Sequence, residues 1–172
     1  MKKAVNECEW SFEELSGDIL PGYLKTLESA MQTPFEAAGI KPRGLGKAAL
    51  LKLLNRKSDF SGSYVFIEGN TPIYVGISRS VASRIHQHLK TRTHFSASLA
   101  YLIAKRKYNP GSSRTANMHD DKFEVEFEKA QKRLWNSKIA TIEIKNPTEL
   151  YLFEAFAAMA FGTGELNSFL TH

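Results

Sequence analysis

The chain has 172 residues, of which 42% are hydrophobic and 24% are charged, a composition typical of a soluble protein with one substantial core. The single cysteine, Cys8, excludes an internal disulfide and a zinc site built from cysteines. The net charge is +5, but residues 79–138 alone carry 13 lysines and arginines against 5 acidic residues. This asymmetry is compatible with an ordinary solvated surface and also with a face that binds polyanions.

The N-terminal residues are basic but lack the apolar stretch of a secretory signal, and no run of apolar residues approaches the length of a membrane span. We therefore expect a cytoplasmic protein that does not enter the membrane.

The first 57 residues predict a helical N-terminal extension. Residues 7–19 indicate a short helix or an irregular segment, and residues 20–38 have apolar positions at helical spacing that Pro34 interrupts. A compact amphipathic helix is expected at residues 47–56.

Two short strands follow, at residues 63–67 and 73–77, joined by a turn that contains Gly69 and Pro72. The short connection predicts an antiparallel hairpin. Each strand carries one tyrosine, Tyr64 and Tyr74, and the spacing alone does not decide whether both rings lie on one side of the sheet. Gly76 stands inside a strand, where glycine is unfavourable unless another group must approach closely.

The helix after the hairpin, to about residue 90, places Arg84 and His88 four residues apart on one face, away from an apolar stripe. The pair is equally compatible with a solvated surface and with a clamp on a phosphate group.

Further on, the pattern predicts a helix at 95–107, a polar loop at 108–121, a helix at 123–136, a strand at 138–144 and a last helix at 147–161. The fold class is therefore α+β, with a small three-stranded antiparallel sheet flanked by helices.

Two glutamates of the last helix differ in their surroundings. Glu149 lies in the first turn, where a carboxylate is favoured by the helix dipole. Glu154 lies among apolar positions, where a carboxylate is costly unless it is paired or binds a metal.

These residues together resemble the GIY-YIG nuclease superfamily, whose name records two tripeptides on neighbouring strands. The first tripeptide reads Gly-Ser-Tyr here, with Ser63 in place of isoleucine, and the second reads Tyr-Val-Gly. Arg84 follows Tyr74 by ten positions, and Asn167 follows Glu154 by thirteen positions. The resemblance runs from about Gly62 to the C-terminus and leaves residues 1–57 unmatched. We therefore predict a nuclease-like domain at residues 58–172, with a helical insertion around 91–137.

The resemblance implies a fold and a chemistry. A member of this family would hydrolyse phosphodiester bonds of DNA with one divalent metal, Mg²⁺ or Mn²⁺, for which Glu154 would be the protein ligand. Tyr64 would position or deprotonate the attacking water, Tyr74 would bond within the same pocket, and Arg84 would hold the phosphate oxygens. His88 would assist on the same helix as Arg84, and Asn167 would tie the C-terminal segment to the site. Flanking phosphates would meet basic side chains of the middle segment, for which the candidates are His94, Lys105, Lys107 and Arg114.

Three alternatives stay open at this point. The chain could be a nuclease, a catalytically inactive nucleic-acid-binding module of the same fold, or a scaffold in which Glu154 is bonded to protein groups. Among nucleases, a restriction-like role competes with repair and mobile-element roles. Cutting both strands would require a homodimer or two successive nicks. The sequence does not indicate the target sequence, or whether DNA or RNA is cut.

Overall fold

The computed structural model describes residues 7–40, 46–111 and 113–169, and shows the predicted α+β architecture of a small antiparallel sheet flanked by helices. The helices and strands, in chain order, are α1 (Phe12–Glu14), a π-helical turn (Leu15–Ile19), α2 (Leu20–Ala30), β1 (Phe35–Glu36), a 3-10 turn (Ala37–Ile40), α3 (Lys47–Leu53), β2 (Gly62–Glu68), β3 (Thr71–Ser78), α4 (Val81–Lys90), α5 (Ser98–Lys107), α6 (Arg114–Met118), α7 (Asp121–Trp135), β4 (Lys138–Glu143) and α8 (Pro147–Phe161).

The sheet has the strand order β1-β4-β2-β3, and β2 pairs antiparallel with both β3 and β4. The predicted antiparallel hairpin is therefore confirmed as β2 and β3. The three predicted strands are all present, and the two-residue β1 adds a fourth. Such a short strand has no room for the alternation of apolar and polar residues that makes a strand recognisable in a sequence.

The N-terminal segment differs in detail from the prediction. A capping box starts the helical segment at Phe12, since the Glu14 amide donates to Ser11 Oγ at 3.2 Å and the Ser11 amide donates to Glu14 Oε2 at 2.8 Å. Helix α2 ends at Ala30, well before residue 38, and the chain turns to enter β1 just after Pro34. The segment predicted as a polar loop, residues 108–121, contains α6, which Ser113 caps by accepting from the Ala116 amide at 3.1 Å.

The chain divides into two compact units. The first, here called the sheet unit, contains residues up to 35, 59–81 and from 138 onward, and the second, the helical unit, contains residues 36–58 and 82–137. The sequence analysis predicted a different boundary, between an N-terminal extension at residues 1–57 and a nuclease-like domain at residues 58–172. That boundary stays a prediction. Residues 1–6 and 41–45 of the predicted extension lie outside the described residues.

The core of the sheet unit lies between one face of the sheet and the helices α2 and α8. Val65, Val75 and Ile142 on the strands are buried in the same cluster as Leu27 of α2 and Phe153 of α8. Burial of an aliphatic or aromatic side chain of this kind contributes about 1.5–3 kcal/mol. Because side chains alternate along a strand, Tyr64 and Phe66 lie on the opposite face.

The core of the helical unit lies between α5 and α7. The rings of Tyr101 and Phe123 have centroids 5.2 Å apart, and Leu99, Phe127 and Leu134 are buried around them. The indole nitrogen of Trp135 donates to the carbonyl of Leu89 at 2.6 Å and so joins the end of α7 to the end of α4. No helix among the described residues combines the length and the apolar character needed to cross a membrane.

Candidate active site

The two motif tyrosines lie on the same face of the sheet. The register pairs Tyr64 with Gly76 and Phe66 with Tyr74, which places all four residues on the face opposite the core of the sheet unit. The rings of Tyr64 and Tyr74 have centroids 6.3 Å apart, and the ring of Phe66 packs edge-on against Tyr64 at 6.1 Å. Tyr64 is only 1% exposed, whereas Tyr74 is half-buried. The structure thus answers the question that the spacing left open.

The two glycines of the motif, Gly62 and Gly76, lie where neighbouring atoms leave no space for a side chain. A Cβ atom on Gly76 would overlap the ring of Tyr64, and a Cβ atom on Gly62 would overlap the carbonyl oxygen of Ile142. Neither glycine has a positive φ, so the requirement is for space and not for an unusual backbone conformation. The glycine inside β3 therefore allows the tyrosine of β2 to lie flat across the neighbouring strand.

Asn167 binds the outer edge of the sheet. Its side-chain amide donates to the carbonyl oxygen of Val75 at 2.7 Å, and its Oδ1 accepts from the Val75 amide at 3.0 Å. The hydroxyl of Thr163 donates to the same Oδ1 at 2.9 Å. Since β3 is an edge strand, this side chain takes the place that a neighbouring strand would otherwise occupy.

Glu154 lies in a cleft of about 420 Å³ on the sheet unit. The side chain is half-buried, and burial raises the pKa of its carboxyl group. Within the described residues, no hydrogen bond or ion pair of this carboxylate is found, in contrast to Glu149 on the same helix. The residues that line the cleft with it are Ser61, Ile77, Ser78, Arg79, Lys145, Pro147, Leu150 and Tyr151.

Two basic residues of this cleft, Arg79 and Lys145, were missed in the sequence analysis. Gly62 at the start of β2 is paired with Ser78 at the end of β3 and with Glu143 at the end of β4. The two strands that flank β2 therefore end at the same edge of the sheet, and the residues that follow them line the same cleft. A search for charged residues just after each predicted strand would have found this pair.

Glu149 has a different environment from that of Glu154. It is 6% exposed and accepts a hydrogen bond from the hydroxyl of Tyr23 at 2.6 Å, and its backbone amide donates to the helix-capping side chain of Asn146 at 3.2 Å. Burial and then the hydrogen bond to Glu149 raise the pKa of Tyr23. This carboxylate is held by protein groups, so the contrast between the two glutamates that the sequence indicated is present in the structure.

In the helical unit, Arg84 is engaged with the segment that follows α4. Its Nη1 donates to the carbonyl oxygen of Ser96 at 3.1 Å and to Gln87 Oε1 at 3.1 Å, and its Nη2 donates to Ser98 Oγ at 2.6 Å. The guanidinium group is therefore held in one orientation by neutral acceptors, which leave its positive charge uncompensated.

His88, one turn further along α4, is fully buried. Burial, and next the charge of Arg84, lower the pKa of its imidazole to about 3. The neutral imidazole is therefore the form present near neutral pH. The sequence left two interpretations of the Arg84 and His88 pair open, a solvated surface and a cationic clamp on phosphate. His88 is not solvated, because it is fully buried. Because its imidazole is neutral, only Arg84 of the pair carries a positive charge that could contact a phosphate.

The four residues predicted to contact flanking phosphates all lie in the helical unit. Lys105, Lys107 and Arg114 are exposed, and His94 is half-buried. The guanidinium of Arg114 lies 5.0 Å from the ring centroid of Tyr101, and its Nη1 donates to the carbonyl of His94 at 3.3 Å. The two lysines lie in the last turn of α5, where cations are favoured by the helix dipole.

Comparison with protein families identifies one segment of the chain. Residues 60–142 match the family model of the GIY-YIG catalytic domain. This segment is a GIY-YIG domain. The comparison with curated proteins found no match, and neither did the comparison with solved structures.

The matched family is one of nucleases, which are phosphodiester hydrolases, so the match supports a nuclease-type domain over residues 60–142. The matched segment includes both tyrosine-bearing strands, the helix that carries Arg84 and His88, and β4. Glu154 and Asn167 lie C-terminal to it. Their assignment to the site depends on the order of residues in the chain and on the contacts described above.

The residues of the cleft fit a divalent cation bound through one carboxylate. No cluster of three or more His, Cys, Asp or Glu side chains that could hold a metal occurs within residues 7–40, 46–111 and 113–169. A Mg²⁺ ion commonly keeps several waters and takes one or two carboxylates from the protein. Glu154 combines a half-buried carboxylate with open space beside it, which is the donor set that such an ion requires.

Proposed function

We propose that the protein is a metal-dependent DNA endonuclease that hydrolyses phosphodiester bonds. The observation that carries the proposal is the cleft around Glu154, which combines a carboxylate with the two cationic side chains of Arg79 and Lys145. A phosphodiester and its metal need these two kinds of partner, an anionic ligand for the cation and cationic donors for the phosphate oxygens.

Glu154 is the residue that would hold the metal. A half-buried carboxylate is destabilised by the loss of hydration, which is why its pKa is raised, and a bound cation would restore the ionised form. When bound there, Mg²⁺ or Mn²⁺ would neutralise charge on the phosphate and stabilise the leaving oxygen.

The tyrosines are assigned to the attacking water. Tyr64 is buried beside Tyr74, and we assign it to positioning or deprotonating the attacking water. Tyr74, whose ring is tilted by 50° to that of Tyr64, would bond within the same pocket. Gly76 supports this arrangement by leaving room for the ring of Tyr64.

Arg84 is assigned to the oxygens of the scissile phosphate. Its contacts with Ser96 and Ser98 fix the guanidinium before substrate binds, so little conformational entropy is lost when it meets an anion. His88 is neutral, and we assign it to orienting neighbouring groups and not to supplying charge. Asn167 would act through β3, by holding the edge strand that carries Tyr74.

The test compares nicking of supercoiled plasmid in Mg²⁺ by the wild type and by single variants. Glu154→Gln keeps the shape of the side chain but removes its charge, and we expect nicking to fall at least about 100-fold, as for other groups that stabilise transition-state charge. Glu28→Gln is the matched control, because Glu28 is an exposed helical carboxylate outside the cleft. Lys145→Gln and Arg79→Gln should weaken DNA binding and nicking together.

The results also separate the alternatives. Wild-type protein that retains DNA without nicking it, in Mg²⁺ or in Mn²⁺, would identify an inactive nucleic-acid-binding module. Protein that neither binds nor nicks DNA would favour a scaffold. A restriction-like role, and homodimerisation for cleavage of both strands, stay predictions that the same assay addresses through the ratio of nicked to linear product.

A further inference from the structure

An exposed phenylalanine lies in a basic part of the chain. Phe95 is 72% exposed, in the segment between α4 and α5. From residue 82 to residue 119 the helical unit carries seven lysines and arginines and no aspartate or glutamate. An exposed aromatic ring in a positively charged region combines the two features by which proteins bind the bases and the phosphates of a nucleic acid.

The ring of Phe95 is one end of a row of flat side chains. Its centroid lies 4.1 Å from that of His94, at a tilt of 40°, and the ring of His94 lies 6.1 Å from that of Tyr101. The guanidinium of Arg114 covers the ring of Tyr101 at 5.0 Å. The row therefore has an exposed aromatic ring at one end and a guanidinium group at the other, and this combination can bind the bases and phosphates of single-stranded nucleic acid.

The segment that carries Phe95 is held rigidly by hydrogen bonds. The amide of Ala97 donates to the carbonyl of Thr93 at 2.8 Å, and Gln131 Nε2 donates to the carbonyl of Thr91 at 2.6 Å. Arg84 holds the carbonyl of Ser96 at 3.1 Å. A platform that is ordered before binding loses little entropy when a ligand stacks on it.

Not every cation of this region is available to a phosphate. Arg92 donates to Glu128 at 2.8 Å and lies 3.3 Å from Glu124, so its charge is largely compensated. Arg114, which donates to the carbonyl of the neighbouring His94 at 3.3 Å, is the cation beside the ring. The positive charge around the ring argues for a polyanionic partner and against the apolar surface of a second protein.

We propose that Phe95 is a stacking platform for an unpaired nucleobase of the substrate strand, backed by His94 and accompanied by the charge of Arg114. The inference deepens the proposed function and rests on it, since it takes a nucleic acid as the substrate. It implies that the enzyme prefers DNA with an unpaired or extruded base. Every base has a flat face, so the contact is expected to be tolerant of sequence.

The test measures binding of a single-stranded DNA of about 12 nucleotides by full-length protein that carries Glu154→Gln, in EDTA, so that cleavage plays no part. In this background Phe95→Ala is expected to raise the Kd about 10-fold, in keeping with the effect of removing one stacked aromatic ring. Phe95→Trp should preserve binding, and its indole fluorescence should be quenched by the oligonucleotide. Phe95→Leu, which keeps apolar bulk without a flat face, should behave like Phe95→Ala.

A matched control is available in the same chain. Phe12 is 71% exposed, but it is followed directly by Glu13 and Glu14, which repel a polyanion. Phe12→Ala should leave the Kd unchanged. Circular dichroism and a urea midpoint equal to that of the parent protein establish that each variant is folded.

Several outcomes would overturn the inference. Binding by Phe95→Ala that equals the parent, or an equal loss in Phe12→Ala, would show that Phe95 does not stack on a base. A change in sedimentation with no change in DNA binding would instead assign Phe95 to self-association. If wild-type protein nicks plasmid while Phe95 has no effect on binding, only the stacking inference fails. If nicking is absent while Phe95 governs binding, only the nuclease proposal fails.

Discussion

Gly76 has no side chain because the ring of Tyr64 occupies the place where one would lie. Tyr64 on β2 and Gly76 on β3 are directly paired across the two strands, so a substitution at either residue alters the packing of the other. At the scale of single residues, the motif is thus a packing arrangement that holds a tyrosine in one orientation, whatever chemistry that tyrosine performs.

Gly76→Ala is expected to lower the free energy of unfolding by about 1–3 kcal/mol, because a methyl group would overpack against the Tyr64 ring. Urea unfolding measures the change. Gly22→Ala is the control: Gly22 lies in α2 with open space where a Cβ would be, and alanine there should stabilise the helix by up to about 1 kcal/mol. Equal stability of Gly76→Ala and the wild type would contradict the packing argument.

His88 makes the stability of the protein depend on pH. Its pKa is lowered from 6.5 to about 3 in the folded protein, mainly by burial. Between these two values the unfolded chain binds more protons at this residue than the folded protein does, so the free energy of unfolding should fall as the pH drops from 6.5 toward 3.

Urea unfolding at several pH values between about 5 and 7 measures this dependence. His88→Gln should reduce the slope of stability against pH relative to the wild type, whatever its effect on stability at neutral pH. Because the comparison is a difference between two proteins, the opposite contribution of Glu154, whose pKa is raised, cancels. His119→Gln, at an exposed histidine, should keep the wild-type slope.

At the scale of secondary-structure elements, the edge strand β3 depends on the segment after α8. Asn167 satisfies both backbone groups of Val75, and Thr163 supports Asn167 from one turn earlier. Gly162 ends α8 with a φ of 67°, in the left-handed region that favours glycine, and so directs the chain back toward the sheet.

Asn167→Ala should destabilise the protein by roughly 1–3 kcal/mol, because the amide and carbonyl of Val75 would be left buried without these partners. Hydrogen exchange should show faster exchange of the Val75 amide in particular. Ser168→Ala, at the exposed neighbouring position, should change neither quantity. Unchanged protection at Val75 in Asn167→Ala would mean that the side chain does not hold the edge strand.

The elements that the sequence predicted well are those with strong local signals. Helix α8 begins at the proline and ends before the glycine, as expected, since Pro147 and Gly162 mark the two ends chemically. The end of α2 was misplaced by several residues and α6 was missed. Apolar periodicity continues past the point where α2 stops, and α6 is only five residues long with a single buried residue.

At the scale of the whole molecule, positive charge is concentrated in the helical unit, and DNA binding should depend steeply on salt. The logarithm of the binding constant should fall linearly with the logarithm of salt concentration. Replacing Lys105 and Lys107 together by glutamine should reduce the magnitude of that slope by about 1.8, if each lysine meets one phosphate. Fluorescence anisotropy over a salt series measures the slope.

Lys129→Gln provides the matched control, because Lys129 lies in the same unit but is paired with Glu126 at 2.6 Å. Its slope should equal that of the wild type. An unchanged slope in the double variant would show that the end of α5 does not contact the DNA backbone.

The sequence by itself determined the class of fold, the family resemblance and the contrast between Glu149 and Glu154, because strand alternation, helix caps and a carboxylate among apolar positions are all local properties. The tertiary structure decided which groups meet. Arg79 and Lys145 lie far apart in the chain and reach one cleft because β3 and β4 end at the same edge of the sheet. The pKa of His88 is lowered because the folded chain buries its imidazole, and the ring of Phe95 is exposed beside that of His94 because the fold places them so. Contacts between distant residues, burial and exposure are properties of the packed chain, and no local pattern of residues encodes them.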